Sequence, residues 1–279
     1  MIIPIPVRKN GGRCESLKAN AAKLAQRKIA AIALAMGAAR TDRHNFGGIN
    51  LCYAACLHMN DRSYMSNSTA PHPLAMEFHN LSVEVKDHIG YLTLTKSEQN
   101  SFDAKFLAEI VAAHDALESD EEVWGVIWAS ASDTFFSSGL DANYMLSLDR
   151  SEKLDMFRQL FETTRRVFAF SKPELALLPG HAFAAGSVLA MAADWRFMAE
   201  GKARVSFPEV MLGISMPEAM IAMLRTHVGE HQLATLIGTG DSFKAEDCLR
   251  LGVVNALFPR EELLSQGEKF MRRLFQKPL

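Results

Sequence analysis

From Leu81 onward the hydrophobic pattern becomes regular. Leu81–Lys86 and 89–95 alternate apolar and polar residues around Asp87-His88, which predicts two strands joined as a β-hairpin. The period then lengthens. Asp103 is placed to cap a helix running to about Leu117, with Phe106, Leu107, Ile110, Val111 and His114 at helical spacing. Residues 124–129 form an apolar run of strand length. Over 154–170, Phe157, Leu160, Phe161, Val167 and Phe168 repeat at three and four and predict a second long helix, closed by Lys172-Pro173. Glu174–Leu178 reads as a buried strand, 195–198 as another, and helices follow over about 219–227, 230–237, 244–251 and 261–275. Strands alternating with helices across short loops imply an α/β layer architecture.

The stretch from Gly180 to Asp194 organises the rest. It begins Gly180-His181-Ala182-Phe183-Ala184-Ala185-Gly186 and becomes an apolar run with no β-branched residue beyond Val188. The pattern predicts a tight loop feeding a buried helix that ends near Asp194. A helix N-terminus carries unpaired N–H groups and partial positive charge, so it can hold a developing anion. Small residues at Ala184, Ala185 and Gly186 would let a ligand atom approach that backbone. A small-residue helix start packed under a sheet would carry the same sequence.

Composition narrows the partners. The chain has 279 residues, is 48 % hydrophobic and has a formal net charge of −2. It can bury a substantial core in one or two domains. No apolar run approaches the roughly 20 residues that span a bilayer, so no membrane span is expected. Residues 1–75 hold ten Lys/Arg against three Asp/Glu, and 76–279 hold 20 against 29. The acidic body argues against nucleic acid as a partner. Residues 1–75 read as a basic extension, with three origins open: a presequence, a disordered segment, or sequence upstream of a start at Met65 or Met76. The core domain is expected over 76–279. Cys52, Cys56 and His58 match no familiar zinc spacing, no metal site is expected, and four cysteines in this length do not make a disulfide framework.

Two further stretches carry chemistry. Phe136-Ser137-Ser138-Gly139-Leu140-Asp141 follows the 124–129 strand with a glycine turn, and Phe207-Pro208-Glu209-Val210-Met211-Leu212-Gly213-Ile214 sets one carboxylate among apolar neighbours. With the Gly180 stretch, Lys172-Pro173, Asp194-Trp195-Arg196, Phe243-Lys244-Ala245-Glu246-Asp247 and Leu251-Gly252-Val253-Val254, they resemble, in order, the crotonase (enoyl-CoA hydratase/isomerase) superfamily. The resemblance spans roughly residues 81–277. It implies an α/β spiral of ββα units and an acyl-CoA thioester substrate. No cofactor is implied beyond the coenzyme A of the substrate. By motif position the N–H groups of Leu140 and Ala185 would form an oxyanion hole for the thioester carbonyl, with Ser138, Gly139, Asp141 and Gly186 around the substrate. Alanine stands at 185 where glycine is usual, which would turn a methyl group toward the pocket. Such donors are each worth about 2.7–4 kcal/mol in the barrier.

Hydratases of this family use two glutamates. The first would fall on Val188, which cannot carry a proton, and the second on Glu209. An apolar residue first and a lone Glu second resembles the Δ3,Δ2-enoyl-CoA isomerases, in which one carboxylate removes a C2 proton and returns one to C4. Flanked by Phe207, Pro208, Val210 and Met211, Glu209 is expected in a dry setting that raises its pKa. Its competing role is to accept backbone hydrogen bonds at a turn. Glu218 facing Glu209 would point instead to another reaction of the family, a hydratase, thioesterase or decarboxylase, and Glu209 turned away from Leu140 and Ala185 to a non-catalytic acyl-CoA-binding subunit. The resemblance also implies a homo-oligomer, a trimer or dimer of trimers, built by two or three helices beyond the 261–275 helix, and these are expected to be missing from this chain. The expected location is cytoplasmic, or mitochondrial if 1–75 is a presequence.

Overall fold

The computed structural model describes residues 77–276; the expectations for 1–75, including Cys52, Cys56 and His58, lie outside the described residues. The hairpin forms as read. β1 (Leu81–Lys86) pairs antiparallel with β2 (Ile89–Leu94) from Leu81 opposite Leu94 to Lys86 opposite Ile89. The two-residue turn puts Asp87 at φ 51° and His88 at φ 66°, the left-handed geometry whose twist matches a two-residue hairpin. Asp103 caps α1 (Ala104–Ser119), its carboxylate accepting from Phe106 N–H at 2.8 Å. The buried face of α1 also carries His114, whose Nε2 lies 2.8 Å from Glu174. The Trp128 indole donates to the same carboxylate at 3.1 Å.

After α1 the chain repeats a unit in which one strand joins a large sheet and the next a small one. β3 (Gly125–Ser130) and β4 (Phe135–Ser137) precede α2 (Ala142–Ser147) and α3 (Arg150–Phe168). Helix α3 starts four residues earlier than the hydrophobic repeat predicts, because Asp149 and Glu152 form a capping box. The short α2 buries no residue and left no trace in the periodicity. β5 (Glu174–Leu178) and β6 (His181–Phe183) precede α4 (Ala185–Ala192). β7 (Trp195–Ala199) and β8 (Arg204–Ser206) precede a 3₁₀ turn (Pro208–Leu212), then α5 (Glu218–Arg225) and α6 (Glu230–Gly238). β9 (Ser242–Lys244), α7 (Ala245–Leu251), β10 (Ala256–Phe258) and α8 (Leu263–Phe275) complete the described chain.

The large sheet runs β1-β2-β3-β5-β7-β10, parallel from β2 onward, and the small sheet β4-β6-β8-β9. This is the ββα spiral expected from the motifs. One face of the large sheet packs on α1, α3 and α4 through the main core. On its other face Ile127, Leu175, Leu177 and Phe197 meet Met271, Leu274 and Phe275 of α8. The stretch expected as a tight loop after Gly180 is in fact strand β6, because residues 181–183 pair with both β4 and β8.

Candidate functional site

Three segments converge where the small sheet ends. β6 and β8 pair with Phe183 opposite Ser206, so the residues that follow each strand emerge side by side: Ala184-Ala185 on one, Phe207-Pro208-Glu209 on the other. Ala184 N–H donates to Ser206 O at 3.0 Å and locks the two exits together. The Ser187 hydroxyl lies 2.5 Å from Ala182 O and 2.9 Å from Ser206 O, bracing the same junction from inside α4.

The turn after β4 closes the third side. Phe102 and Leu140 form a parallel bridge, with Phe102 N–H donating to Gly139 O and Asp141 N–H to Phe102 O. Gly139 has φ 96°, and a Cβ there would come within 2.9 Å of Phe183 O and 3.1 Å of Ala185 N. Only glycine allows both this conformation and this approach, and the approach sets the 139–140 turn against the start of α4. At Gly186 a Cβ would fall 2.5 Å from Ser137 O. That glycine therefore serves the packing of α4 on β4.

What remains at the junction is backbone without partners. Helix α4 has no side-chain N-cap bond. Among the described residues neither Leu140 N–H nor Ala185 N–H donates a hydrogen bond. Ala184, the N-cap, sits at φ 47°, ψ −124°, a sparsely populated region for a residue with a side chain. Two free donors at a positive helix end can receive an oxygen that carries negative charge.

Glu209 lies in the first turn of the 3₁₀ segment. Its Oε2 is buried and makes no hydrogen bond, and burial pushes its carboxyl above the usual glutamate range. A hydrogen bond from its own backbone N–H opposes that rise, so the competing role of the carboxylate as a backbone acceptor is met in part, but not at Oε2. The dry setting is only half present, however. Phe207 is fully buried, but Val210 is 48 % and Met211 72 % exposed, because the turn presents them outward beside Gly240. Glu218 is exposed at the start of α5.

The other expected residues divide by what holds them. Ser138 N–H donates to Gln99 O at 2.9 Å, half-buried on the turn. Asp141 is a helix cap: it accepts from Tyr144 N–H at 3.0 Å and from the Ser101 hydroxyl at 3.0 Å, and lies 3.7 Å from Lys96 Nζ. The Tyr144 N–H above all holds its carboxyl below the usual range. Ala185 is 4 % exposed and packs in the main core. Val188, one turn into α4, is 2 % exposed. Asp194 acts at a strand start, accepting from Glu174 N–H at 2.9 Å. Sequence reasoning passed over Ser206 and Arg196. Ser206 carries no signal beyond lying three residues before Glu209. Arg196 was legible as a motif letter, but not as the group that binds the far end of α4.

A family model described as enoyl-CoA hydratase/isomerase matches residues 84–279. The chain is 29 % identical over 203 residues to a crotonyl-CoA hydratase of Syntrophomonas wolfei, covering 72 % of this chain and 78 % of that protein. It is 27 % identical over 188 residues to the peroxisomal enoyl-CoA delta isomerase 2 of Arabidopsis thaliana, covering 65 % and 78 %. The crystal structure of an enoyl-CoA hydratase from Geobacillus kaustophilus is similar to it with a TM-score of 0.67 and 28 % identity, over 72 % of this chain and 76 % of that one.

Proposed function

Because this chain belongs to the enoyl-CoA hydratase/isomerase (crotonase) family, we propose that it is an enzyme of the isomerase kind, moving a double bond of an enoyl-CoA from C3 to C2. The observation that carries the reading is Val188. It is buried in the first turns of α4, and the motif resemblance implies that it falls where the family's hydratases would hold their first glutamate. An isopropyl group neither orients nor deprotonates water.

The chemistry then rests on one carboxylate. The thioester oxygen accepts from Leu140 and Ala185 N–H groups, which lowers the cost of placing charge on it. Glu209 takes a proton from C2, and the C–H electron pair flows into a dienolate held by the two donors. The same carboxyl returns the proton to C4, the double bond settles between C2 and C3, and no water is consumed. A carboxylate with an unsolvated oxygen is the stronger base for such a carbon acid.

A second reading has support in the relatives, since hydratase-named proteins stand beside isomerase-named ones at similar identity. An ultraviolet assay separates the two. With a 3-enoyl-CoA, rising absorbance of the conjugated thioester and no loss with crotonyl-CoA is the expected result. Loss of absorbance with crotonyl-CoA would assign hydration instead, and silence with both would reduce the chain to a binder of acyl-CoA.

A further inference from the structure

The outward face of the small sheet carries side chains that the acyl site does not use. Register sets Phe135 beside His181 and Arg204 opposite Lys244. The pairing of Ala182 with Val205 puts His181 and Arg204 in the same row, one step back along both strands. The row across the four strands reads Phe135, His181, Arg204, Lys244. Ala182 and Val205 are buried on the opposite face, so strand alternation turns this row away from the core. Phe183 joins it from two residues on, stacked on His181 with ring centroids 5.1 Å apart. Phe135 lies 5.3 Å from His181 and 6.0 Å from Phe183.

The charges are unbalanced. Arg204 and Lys244 are directly opposed on an antiparallel pair, where like charges repel. Among the described residues neither they nor Lys202 form an ion pair. Two acids near the edges are engaged elsewhere, Asp133 with Arg260 at 2.8 Å and Asp247 with Arg250 at 2.9 Å, while Glu246 and Asp241 stand exposed beside β9. Next to this pair the His181 Nδ1 is buried without a partner, and burial followed by the Arg204 charge holds its imidazole below its usual pKa. In an acidic body, a bare cation pair flanked by aromatic rings is a local arrangement complementary to a small anion with a planar group.

We propose that this face binds a phosphorylated nucleotide, its phosphate on Arg204 and Lys244 and its base against Phe135, His181 and Phe183. The row lies about 10 Å back along the strand from Ala184, at roughly 3.3 Å per residue, so the site is separate from the thioester site. The proposal does not depend on the isomerase reading.

The test is calorimetric titration of the full chain with ADP, which needs no turnover. Binding is expected, weakened roughly tenfold by Arg204→Gln and by Lys244→Gln, the scale of one charge-assisted hydrogen bond. A CoA thioester, titrated in the same way, should bind its acyl site equally well in the parent and both variants. Without nucleotide, Arg204→Gln should melt no lower than the parent, because it relieves a repulsion. Absence of ADP binding, equal ADP binding by parent and variants, or weakened CoA-thioester binding in either variant would each overturn the proposal. The last would do so by seating ADP in the nucleotide site of the substrate.

Discussion

The two ends of α4 are built on opposite rules. At the C-terminal end, the fully buried Arg196 spends its guanidinium on carbonyls: Nη1 donates to Ala193 O at 2.6 Å and reaches Ala190 and Met191 O at 3.5 and 3.4 Å, and Nε donates to Val253 O at 2.7 Å. Burial pushes its pKa down to about 10, so it stays charged at neutral pH, opposite the negative end of the helix. At the N-terminal end there is no cap, the N-cap alanine is strained, and the Ala185 N–H donates to nothing. A helix of eight buried residues could not leave both ends bare in a dry core. One end is secured by a cation; the other keeps an N–H free, which under the proposed function receives the thioester oxygen. Where a fold stops satisfying its own backbone is where chemistry is to be sought.

Four measurements test this contrast. Glu209→Gln should lower kcat by about 10²–10⁴-fold, the range of general acid–base catalysis, with little change in thioester binding. Intact turnover would remove Glu209 from the open end. Arg196→Leu should destabilise the fold by about 3 kcal/mol or more in denaturant titration, because several buried carbonyls lose their donor at once. An unchanged midpoint would mean that the C-terminal end needs no clamp. Ala184→Gly should raise stability by about 1 kcal/mol by releasing the positive-φ strain, with kcat/KM within a few-fold of the parent.

The smallest effect is in the pH profile. Glu209 must be ionised to act as a base, and burial raises its pKa, so the acid limb of kcat/KM should lie above the ordinary glutamate value of about 4.3. The sign for stability is the reverse. A raised pKa means the fold prefers the protonated form, a contribution present below the ordinary value and lost as pH rises through the raised one. Glu209→Gln should therefore remove the acid limb and melt slightly higher than the parent at neutral pH. A limb at the ordinary value would mean that the exposed Val210 and Met211 leave the carboxylate wet.

Much of the fold was legible because its signals are local. The β1–β2 hairpin, the Asp103 cap and the bounds of β5 followed from alternation, a capping side chain and a Pro-closed helix. The start of α3 was not, since the capping box at Asp149 lies upstream of the apolar repeat. Strand β6 was hidden because three residues cannot show a period, and only pairing on both sides makes them a strand. The candidate site was legible as motif letters. Its details were not: the outward turn of Met211 and the burial of the Ala185 methyl depend on neighbours far along the chain.

By itself the sequence determined which backbone stretches could take part: a glycine turn at 139, small residues at 184–186, one carboxylate at 209, and a valine where a second acid would stand. These are properties of residue types, fixed wherever the chain goes. The tertiary structure decided that they meet. Phe183 opposite Ser206 and Gly139 against Ala185 are contacts between segments tens of residues apart, and they form only when two sheets grow together, strand by strand. The same assembly leaves two N–H groups and one carboxylate oxygen without partners. A bonding deficit belongs to the packed whole, because each of those groups would be satisfied by water in the unfolded chain.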